Sequence, residues 1–436
     1  MPERAPEHEP TAPRNIYAFG ITSFLNDTAT EMAYWVLPAF LVSLGAGPAQ
    51  LGLIEGVAES VASFAKLFSG YLADRVARRK PLVVAGYFVA NAVKPLLALA
   101  TSWWHILLIR FTDRLAKGVR GAPRDVMVAE SVLKGRLGSA YGLIQSMDSA
   151  GAIAGPLIAF ILLARYGMRT VFWAAAVPGA LCVLVALFGI REKRRGQATH
   201  IAELQPTRVS AAQPASAPSN GTPLLAAPKL PRAFYFVLCS VTLFSLGNSS
   251  DMFLVMRAQN AGIPVALAPL LGLVFNITYT LGSWPAGWLS DHLSRRAFSQ
   301  SGFSRRGSSR RWIAAAGYLI FAGVYFVFGR VPSAMAIWIA MAVYGFYYAL
   351  TQPVLKALVV EAVGDNVRGR ALGVYFFVTS IATLAASLIT GELWKHYGAR
   401  IPFFFSAVLA VASAALLVMN RTSHKIPVVL ISSGHH

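Results

Sequence analysis

The 436-residue sequence is poor in charge, in acidic residues and in cysteine. Charged residues make up 13% of the chain, against about a quarter in typical soluble domains. Hydrophobic residues make up 56% and gather in runs long enough to cross a bilayer. The two cysteines, Cys182 and Cys239, lie inside apolar runs, which argues against a disulfide-stabilised secreted scaffold. The composition therefore indicates a membrane protein with many spans.

Several motifs of soluble enzymes and metalloproteins are also absent from the sequence. There is no P-loop of the form G-x-x-x-x-G-K-[ST], so ATP is not indicated as an energy source. There is no H-E-x-x-H or paired C-x-x-C, so no metal site is predicted. No Ser, His and Asp set can be placed together from the sequence. We expect a protein that is not an enzyme and that needs no cofactor.

Twelve apolar segments are present, each near or above the ~20 residues that span a bilayer as a helix. They form two sets of six, at about 15–44, 49–70, 82–101, 103–126, 138–164 and 169–190, then 233–256, 263–289, 312–330, 333–357, 371–394 and 400–420. The fold class predicted is an all-α polytopic membrane protein with two six-helix bundles. Twelve spans place both termini on the same side of the membrane.

Basic residues outnumber acidic ones by 39 to 19, and the formal net charge is +20. In a soluble protein this excess suggests nucleic-acid binding. Here the bases cluster in alternate connections, whereas the other connections hold only scattered ones, so the positive-inside rule explains the excess. We expect both termini in the cytoplasm, a multi-pass protein of the inner membrane, an anionic cytoplasmic leaflet as its lipid partner, and no nucleic-acid partner.

The domain prediction follows the two sets of segments. It assigns a cytoplasmic tail (1–14), a first bundle (15–190), a linker (191–232), a second bundle (233–420) and a tail with a tag-like end (421–436). The linker is rich in Pro, Ser and Ala and has no periodicity, so we interpret it as flexible and cytoplasmic. The polar, Pro-rich N-terminus predicts no cleaved signal peptide. We expect a monomer.

A short charged stretch occurs once in each half. Residues 70–81 read G-Y-L-A-D-R-V-A-R-R-K-P, and residues 287–296 read G-W-L-S-D-H-L-S-R-R. Asp291 lies 217 positions after Asp74 in the matching place. This repeat favours duplication of a six-helix unit, and parallel halves that meet at a midplane cavity are a known transporter plan.

The first of these stretches resembles the loop between helices two and three of the major facilitator superfamily, G-x-L-x-D-R-x-G-R-R, with Ala77 where Gly is common. Residues 114–122 resemble its fourth-helix pattern, with Lys117 at a Gln position and Arg120 at a Gly position. A third stretch resembles the fifth-helix pattern of the family's proton-coupled drug and metabolite exporters. The residues that match it are Gly142, Gly151, Gly155 and Pro156. In that pattern Ala159 and Phe160 stand where the exporters have two glycines.

The resemblance covers residues 15–420 and implies transport by alternating access. It implies a gating role for Asp74, Arg75, Arg78, Arg79, Asp291 and Arg295, although orientation of the chain is a simpler role for the bases. The four fifth-helix residues are interpreted as helix-packing residues, because small residues allow close contact between helices and Pro kinks a span.

Ionisable residues inside the spans are costly and normally face a cavity or a partner. The fourth segment carries seven within an arc of about 140°: Arg110, Asp113, Arg114, Lys117, Arg120, Arg124 and Asp125. The other acids of the first half include Asp27 and Glu31, one helical turn apart, and Glu55 and Glu59, which Lys66 can neutralise. The second half offers mainly aromatic and amide side chains, so we expect the charge chemistry in the first half.

From these positions we predict two sets of site residues. The proton-coupling set is Asp27, Glu31, Asp113 and Asp148, with Arg114 or Lys117 as the competing cation for Glu31 and Asp27. The substrate-binding set is Asn26, Tyr34, Glu59, Arg114, Lys117, Arg120, Tyr347, Gln352, Lys356, Asn248, Asp251 and Asn276. The simpler alternative for each buried pair is a permanent structural ion pair.

The function predicted is proton-coupled export of a small organic molecule, with the proton gradient as the energy source. The cations of the fourth segment favour an anionic or oxygen-rich substrate, such as a metabolite, a siderophore or a drug. An anion importer or exchanger of the same fold is the alternative. A membrane sensor without transport is a remote alternative, since it would require a folded linker or tail domain.

Overall fold

The computed structural model describes residues 12–76, 78–131, 137–192, 230–301, 306–330, 333–363 and 368–419. Within these ranges the chain is helical and contains no strand. Helix occurs in each of the twelve predicted segments, so the all-α prediction is confirmed. Most of both predicted tails, and the linker from residue 193 to residue 229, lie outside the described residues.

The first half contains eight α-helices in its described part. They are α1 (Ala12–Tyr34), α2 (Leu37–Ser43), α3 (Pro48–Arg75), α4 (Lys80–Val93), α5 (Trp103–Glu130), α6 (Leu137–Tyr166), α7 (Met168–Ala174) and α8 (Ala176–Gly189), with a 3₁₀ turn at Pro95–Leu99. The described part of the second half contains α9 (Arg232–Gly247), α10 (Met252–Asn260), α11 (Ala268–Ser301), α12 (Arg306–Gly329), α13 (Ala334–Glu361), α14 (Arg368–Tyr397) and α15 (Ile401–Met419), with a 3₁₀ turn at Val265–Leu267.

Nine stretches of the described chain are long and apolar enough to cross a membrane. Three further long helices of the first half, α1, α3 and α5, carry most of the charged residues of its spans, which lower their hydropathy. Their charge needs partners inside the protein, because lipid cannot solvate it.

Three of the described spans consist of two helices each: the first (α1 and α2), the sixth (α7 and α8, which meet at Ala175) and the seventh (α9 and α10). The first breaks at Trp35 and Val36, between α1 and α2, where Pro38 lacks the N–H that a continuous helix requires. The seventh breaks at residues 248–251, between α9 and α10. There the backbone N–H of Met252 donates to the Ser250 hydroxyl (3.4 Å) and starts the second helix. Broken helices are a recurrent feature of transporter folds.

The chain forms two compact units. The first consists of Met1–Lys229, Ser249–Asn276 and Thr383–Ala399, and the second of Leu230–Asn248, Ile277–Ala382 and Arg400–His436. In the first unit α1 packs on α6 and α8, and α5 packs on α3 and α4. In the second unit α12 packs on α13 and α15, and α15 also packs on α9.

Glycines with positive φ close equivalent turns of the two halves. Gly45 (φ 78°) and Gly262 (φ 93°) are 217 positions apart, and Gly167 (φ 82°) and Gly398 (φ 83°) are 231 positions apart. An L-residue with a side chain rarely adopts this backbone conformation. The positions of these glycines therefore support the duplication that the charged stretches predict. The first pair has the same offset of 217 positions as Asp74 and Asp291.

Candidate functional site

Helix α5 carries charged residues on one face and apolar residues on the other. On the apolar side Leu108, Phe111 and Leu115 are exposed, as side chains that meet lipid should be. The charged side has four buried residues, Arg110, Asp113, Arg114 and Arg120. The charged face therefore points into the protein, as the cost of placing charge in lipid predicts.

Two ion pairs, one helical turn apart, join α5 to α3. Two nitrogens of the Arg110 guanidinium donate to Oε1 of Glu55, at 2.6 and 2.9 Å. The Arg114 guanidinium lies 3.2 Å from Oε1 of Glu59. The Glu55 side chain is 1% exposed and that of Glu59 is 44% exposed. The acids of α3 thus pair with α5 rather than with Lys66, which is exposed.

Close helix packing places these pairs. A Cβ added at Gly118 would overlap Ala65 and would lie 2.7 Å from the carbonyl oxygen of Ala62, so only glycine allows α5 this close to α3. On the other side of α5, Asp113 faces Lys94 at 3.6 Å, and both side chains are buried. Asp113, a predicted proton-coupling residue, is therefore held in an ion pair.

Lys117 and Arg120 occupy different environments on the charged face. Lys117 is exposed, and no carboxylate oxygen of the described residues lies within 4 Å of its Nζ. The Arg120 guanidinium lies 4.2 Å from the centre of the Tyr87 ring and donates to the carbonyl of Gly86 at 3.4 Å. Lys117 is thus accessible to a ligand, whereas Arg120 packs against α4.

The two carboxylates of α1 have hydrogen-bond donors but no cation within 4 Å among the described residues. The indole Nε1 of Trp35 donates to Oε2 of Glu31 at 2.7 Å. The Asn26 amide donates to Oδ1 of Asp27 at 3.1 Å. The ion pair predicted between these acids and Arg114 is not formed, because Arg114 pairs with Glu59.

Helix α6 approaches α1 at the same two acids. A Cβ at Gly155 would lie 2.7 Å from Cβ of Glu31, and a Cβ at Gly151 would lie 3.2 Å from Cβ of Asp27. Pro156 is buried beside them. Gly142, by contrast, has open space around its Cα. The packing role predicted for the glycine motif therefore has a structural counterpart at Gly151 and Gly155 and none at Gly142.

Asp148, one turn before Gly151 on α6, belongs to the same group of acids. It is half-buried and close to Asp27 and Arg124. Three predicted proton-coupling residues are therefore close together at the α1–α6 contact.

A second polar cluster of the first unit links α1 and α3 to the break in the seventh span. The Ser250 hydroxyl donates to Oε2 of Glu55 at 3.1 Å and lies 3.4 Å from the Tyr34 hydroxyl. Asp251 follows at the start of α10 and is half-buried. On α11 the Asn276 amide donates to the carbonyl of Ala152 at 2.9 Å. Tyr34 and Asn276 therefore make contacts within the protein.

The predicted residues of the second half are only partly described. Tyr347 is 1% exposed and stacks on Tyr344 with ring centres 5.3 Å apart, so it lies in the aromatic core of the second unit. Asn248 ends α9, and its buried Oδ1 has no hydrogen-bond partner in the described part of the chain. The side chains of Gln352 and Lys356 lie outside the described residues.

Only part of the predicted gating set is described. Arg79 is buried and pairs with Glu130 at 2.6 Å, while Arg78 is exposed. The Glu192 carboxylate accepts the backbone N–H groups of Arg79 and Lys80 at the start of α4. The side chains of Asp74, Arg75, Asp291 and Arg295 lie outside the described residues.

Sequence reasoning missed three partners in these clusters. Trp35 lies four positions after Glu31, a spacing that brings side chains together on a helix and could have been noticed. Glu130 lies at the end of α5, 51 positions after Arg79, and nothing in that spacing predicts their ion pair. Glu192 lies in the basic stretch that opens the linker, and nothing in its spacing indicates that it caps α4.

The fold and the buried ion pairs define the class of this protein, a polytopic all-α membrane protein with an ionised interior. A model of the Major Facilitator Superfamily matches residues 19–387 and, in a second match, residues 302–433. The chain belongs to the Major Facilitator Superfamily, a family of transporters.

Relatives with this sequence pattern are transporters too. An uncharacterized MFS-type transporter of Methanocaldococcus jannaschii is 31% identical over 422 residues, 94% of this chain and 96% of that protein. The multidrug resistance protein MdtG of Escherichia coli is 32% identical over 186 residues, 41% of this chain and 45% of MdtG.

Solved transporter structures share the fold. A bacterial homolog to the human lysosomal transporter Spinster, inward-facing and unoccupied, gives a TM-score of 0.68 at 15% identity and covers 95% of this chain and 98% of its own. A POT family transporter in complex with 5-aminolevulinic acid gives 0.71 at 12% identity, with 96% and 97% covered. At these identities the likeness is one of fold alone.

Proposed function

We propose that this transporter exports a small organic anion in exchange for protons, by alternating access, from an inner membrane in which both its termini face the cytoplasm. The observation that carries the proposal is the pairing pattern of the interior charges. Most of them are neutralised in pairs, which leaves Asp27, Glu31 and Asp148 without a cation within 4 Å among the described residues, near the exposed Lys117.

Proton coupling requires a carboxylate that binds and releases a proton during the cycle. A carboxylate such as Glu55, which is 1% exposed and held by the Arg110 guanidinium, cannot leave its cation without leaving a buried charge unpaired. Glu31 and Asp27 are held only by neutral donors, which a protonated carboxyl also tolerates. This difference supports Glu31 and Asp27 as the proton-binding pair.

An anionic substrate is supported by one cation that a ligand can reach and by a second, buried cation that is paired with a half-exposed acid. Lys117 is exposed, and the neighbouring Arg114 pairs with a carboxylate, Glu59, that is 44% exposed. A carboxylate, phosphate or catecholate group can pair with Lys117 and compete with Glu59 for Arg114. Export is favoured by the glycine motif of α6 and by the similarity of about two fifths of the chain to MdtG.

A second candidate is export of organic cations, and the three acids of the α1–α6 contact favour it. In that case the substrate would neutralise Asp27, Glu31 or Asp148, and Lys117 would repel it. An anion importer or exchanger uses the same cations as the first candidate and differs in the direction of the gradient-driven flux.

The decisive experiment is flux in proteoliposomes with an imposed pH gradient and an internal pH-sensitive dye. A panel of carboxylates, phosphates and catechols is compared with the lipophilic cation tetraphenylphosphonium. We expect Glu31→Gln to abolish the gradient-driven flux and to spare substrate exchange, because glutamine keeps the shape and cannot carry the proton. Glu392→Gln, a surface substitution at a residue 57% exposed, is the matched control and should behave as wild type.

The substrate class is decided in the same assay with Lys117→Gln and the exposed Lys395→Gln as its control. For an anionic substrate Lys117→Gln weakens transport by about tenfold, the size of one lost charge-assisted hydrogen bond, and Lys395→Gln does not. Faster tetraphenylphosphonium flux in Lys117→Gln would instead favour the second candidate. Gradient-driven flux that survives Glu31→Gln would overturn Glu31 as the proton carrier.

A further inference from the structure

Trp35 connects the carboxylate of Glu31 to a helix of the second half of the chain. The residue occupies the break between α1 and α2 and is 2% exposed. Its indole N–H donates to Glu31 at 2.7 Å. The ring itself rests on α11, where it occupies the space in which any side chain at position 272 would stand.

The contact between Trp35 and α11 requires a residue without a side chain at position 272. A Cβ added at Gly272 would overlap the Cδ2, Cε2 and Nε1 atoms of the indole, so the ring fits only against glycine. Phe275, one turn further along α11, flanks the ring with centres 6.2 Å apart. The indole nitrogen that donates to Glu31 is also one of the three ring atoms nearest to Gly272. Rotation of the indole therefore changes both contacts together.

We propose that Trp35 is the positioning residue that couples the charge of Glu31 to the packing of α1 against α11 at the outer ends of these helices. The inference rests on the proposed proton-carrying role of Glu31. An ionised Glu31 makes a charge-assisted hydrogen bond, which is roughly twice as strong as a neutral one, and so holds the indole in the Gly272 notch. A protonated Glu31 holds it less firmly, and α11 separates from α1 more readily.

The other charged groups around Glu31 do not replace this coupling. Asp27 lies on α1 itself, and Arg114 and Lys117 lie on α5. Asp148 on α6 is nearest to Asp27 and Arg124. The α11 residues that contact this region, Gly272, Phe275 and Asn276, are uncharged. A change of charge at Glu31 therefore reaches α11 through the indole.

The test measures opening of the outer end without transport. Ala268, the first residue of α11, is fully buried, and Ala268→Cys serves as the reporter in proteoliposomes without substrate. The rate of its labelling by a membrane-impermeant maleimide is followed between pH 6 and pH 8 and divided at each pH by the rate for glutathione, because only the thiolate reacts and its fraction rises with pH. The parent protein without Ala268→Cys gives the background from Cys182 and Cys239.

We expect the normalised labelling rate to be low at high pH and about tenfold higher at low pH, the effect of weakening one charge-assisted hydrogen bond. Trp35→Phe should label fast at every pH, because phenylalanine lacks the N–H. Gly272→Ala should do the same by displacing the ring. The surface variant Trp173→Phe, at a residue 50% exposed, should keep the wild-type profile.

The double variant Glu31→Gln/Trp35→Phe separates coupling from simple loss of packing. If both residues act through one hydrogen bond, the double variant labels no faster than Trp35→Phe alone. Effects that multiply, or an unchanged pH profile in Trp35→Phe, would overturn the inference. Gel filtration checks that each variant is folded, and Gly272→Ala supplies the same readout if Trp35→Phe aggregates.

Failure of this inference and failure of the proposed function give different results. If Glu31→Gln abolishes gradient-driven flux while Trp35→Phe keeps its labelling profile, only the coupling through Trp35 is wrong. If Glu31→Gln transports normally while labelling depends on pH and on Trp35, Glu31 controls the conformation and another residue carries the proton.

Discussion

At the scale of single residues, two glutamates of α3, one helical turn apart, each pair with an arginine of α5 but differ in their exposure to solvent. Glu55 is 1% exposed, and its carboxylate accepts from both Arg110 and Ser250. Glu59 is 44% exposed and faces Arg114 at 3.2 Å. Both arginine partners are buried, at 6% and 8% exposed, so the two pairs differ in how far water reaches the acid.

Glu55→Gln should lower the free energy of unfolding by about 3–5 kcal/mol, since it leaves the Arg110 charge buried without a counter-ion. Glu59→Gln should cost less than Glu55→Gln, because water that reaches the 44% exposed side of Glu59 can partly solvate the otherwise buried Arg114 guanidinium. The measurement is the thermal unfolding midpoint of both variants in detergent. Equal midpoints would mean that the Glu55–Arg110 pair is not the buried contact described above.

At the scale of helices, contact between α1 and α6 depends on two glycines. Gly151 and Gly155 face Asp27 and Glu31, and the carbonyl of Thr28 lies 2.7 Å from where a Cβ of Gly155 would stand. The acids thus lie where the backbones approach most closely. The helix contact and the acidic group are one feature of the structure.

Gly155→Ala should push α6 away from α1 and lower stability by about 1–3 kcal/mol, the usual cost of overpacking. Gly142→Ala on the same helix should leave stability unchanged, because no atom lies within 4 Å of its added Cβ. Denaturation curves in detergent and flux in proteoliposomes measure the two effects. A Gly155→Ala protein as stable as Gly142→Ala would show that α1 adjusts to the extra methyl group at no cost.

At the scale of the whole molecule, the distribution of basic residues predicts how the chain is threaded through the membrane. By the positive-inside rule we expect the cluster around Arg78 and Lys80 on the cytoplasmic side. We expect Arg165, at the end of α6, on the opposite side. Both arginines are exposed and are suitable sites for a label.

Arg78→Cys should react with an impermeant maleimide only in inside-out vesicles, and Arg165→Cys only in right-side-out vesicles. The two variants are controls for each other, since each must be labelled from one side. Labelling of Arg165→Cys in inside-out vesicles alone would reverse the orientation that the proposed function requires.

The sequence by itself determined the architecture of this protein. The lengths of the apolar segments predicted the membrane spans, because a helix must be about 20 residues long to cross the bilayer. The repeated stretches at residues 70–81 and 287–296 predicted the duplication that Gly45 and Gly262 repeat at the same offset. Helical periodicity also predicted that the charged face of α5 points inward, because spacing along one helix is a local property.

Only the tertiary structure decided which charges meet. Ion pairing depends on the distance between helices, and that distance is set by contacts such as Gly118 on Ala65, which no spacing along the chain encodes. For this reason Arg114 pairs with Glu59 rather than Glu31, and Asp113 is held by Lys94. Spacing along the chain could not predict the contact of Trp35 either, because Trp35 and Gly272 are 237 positions apart in the sequence.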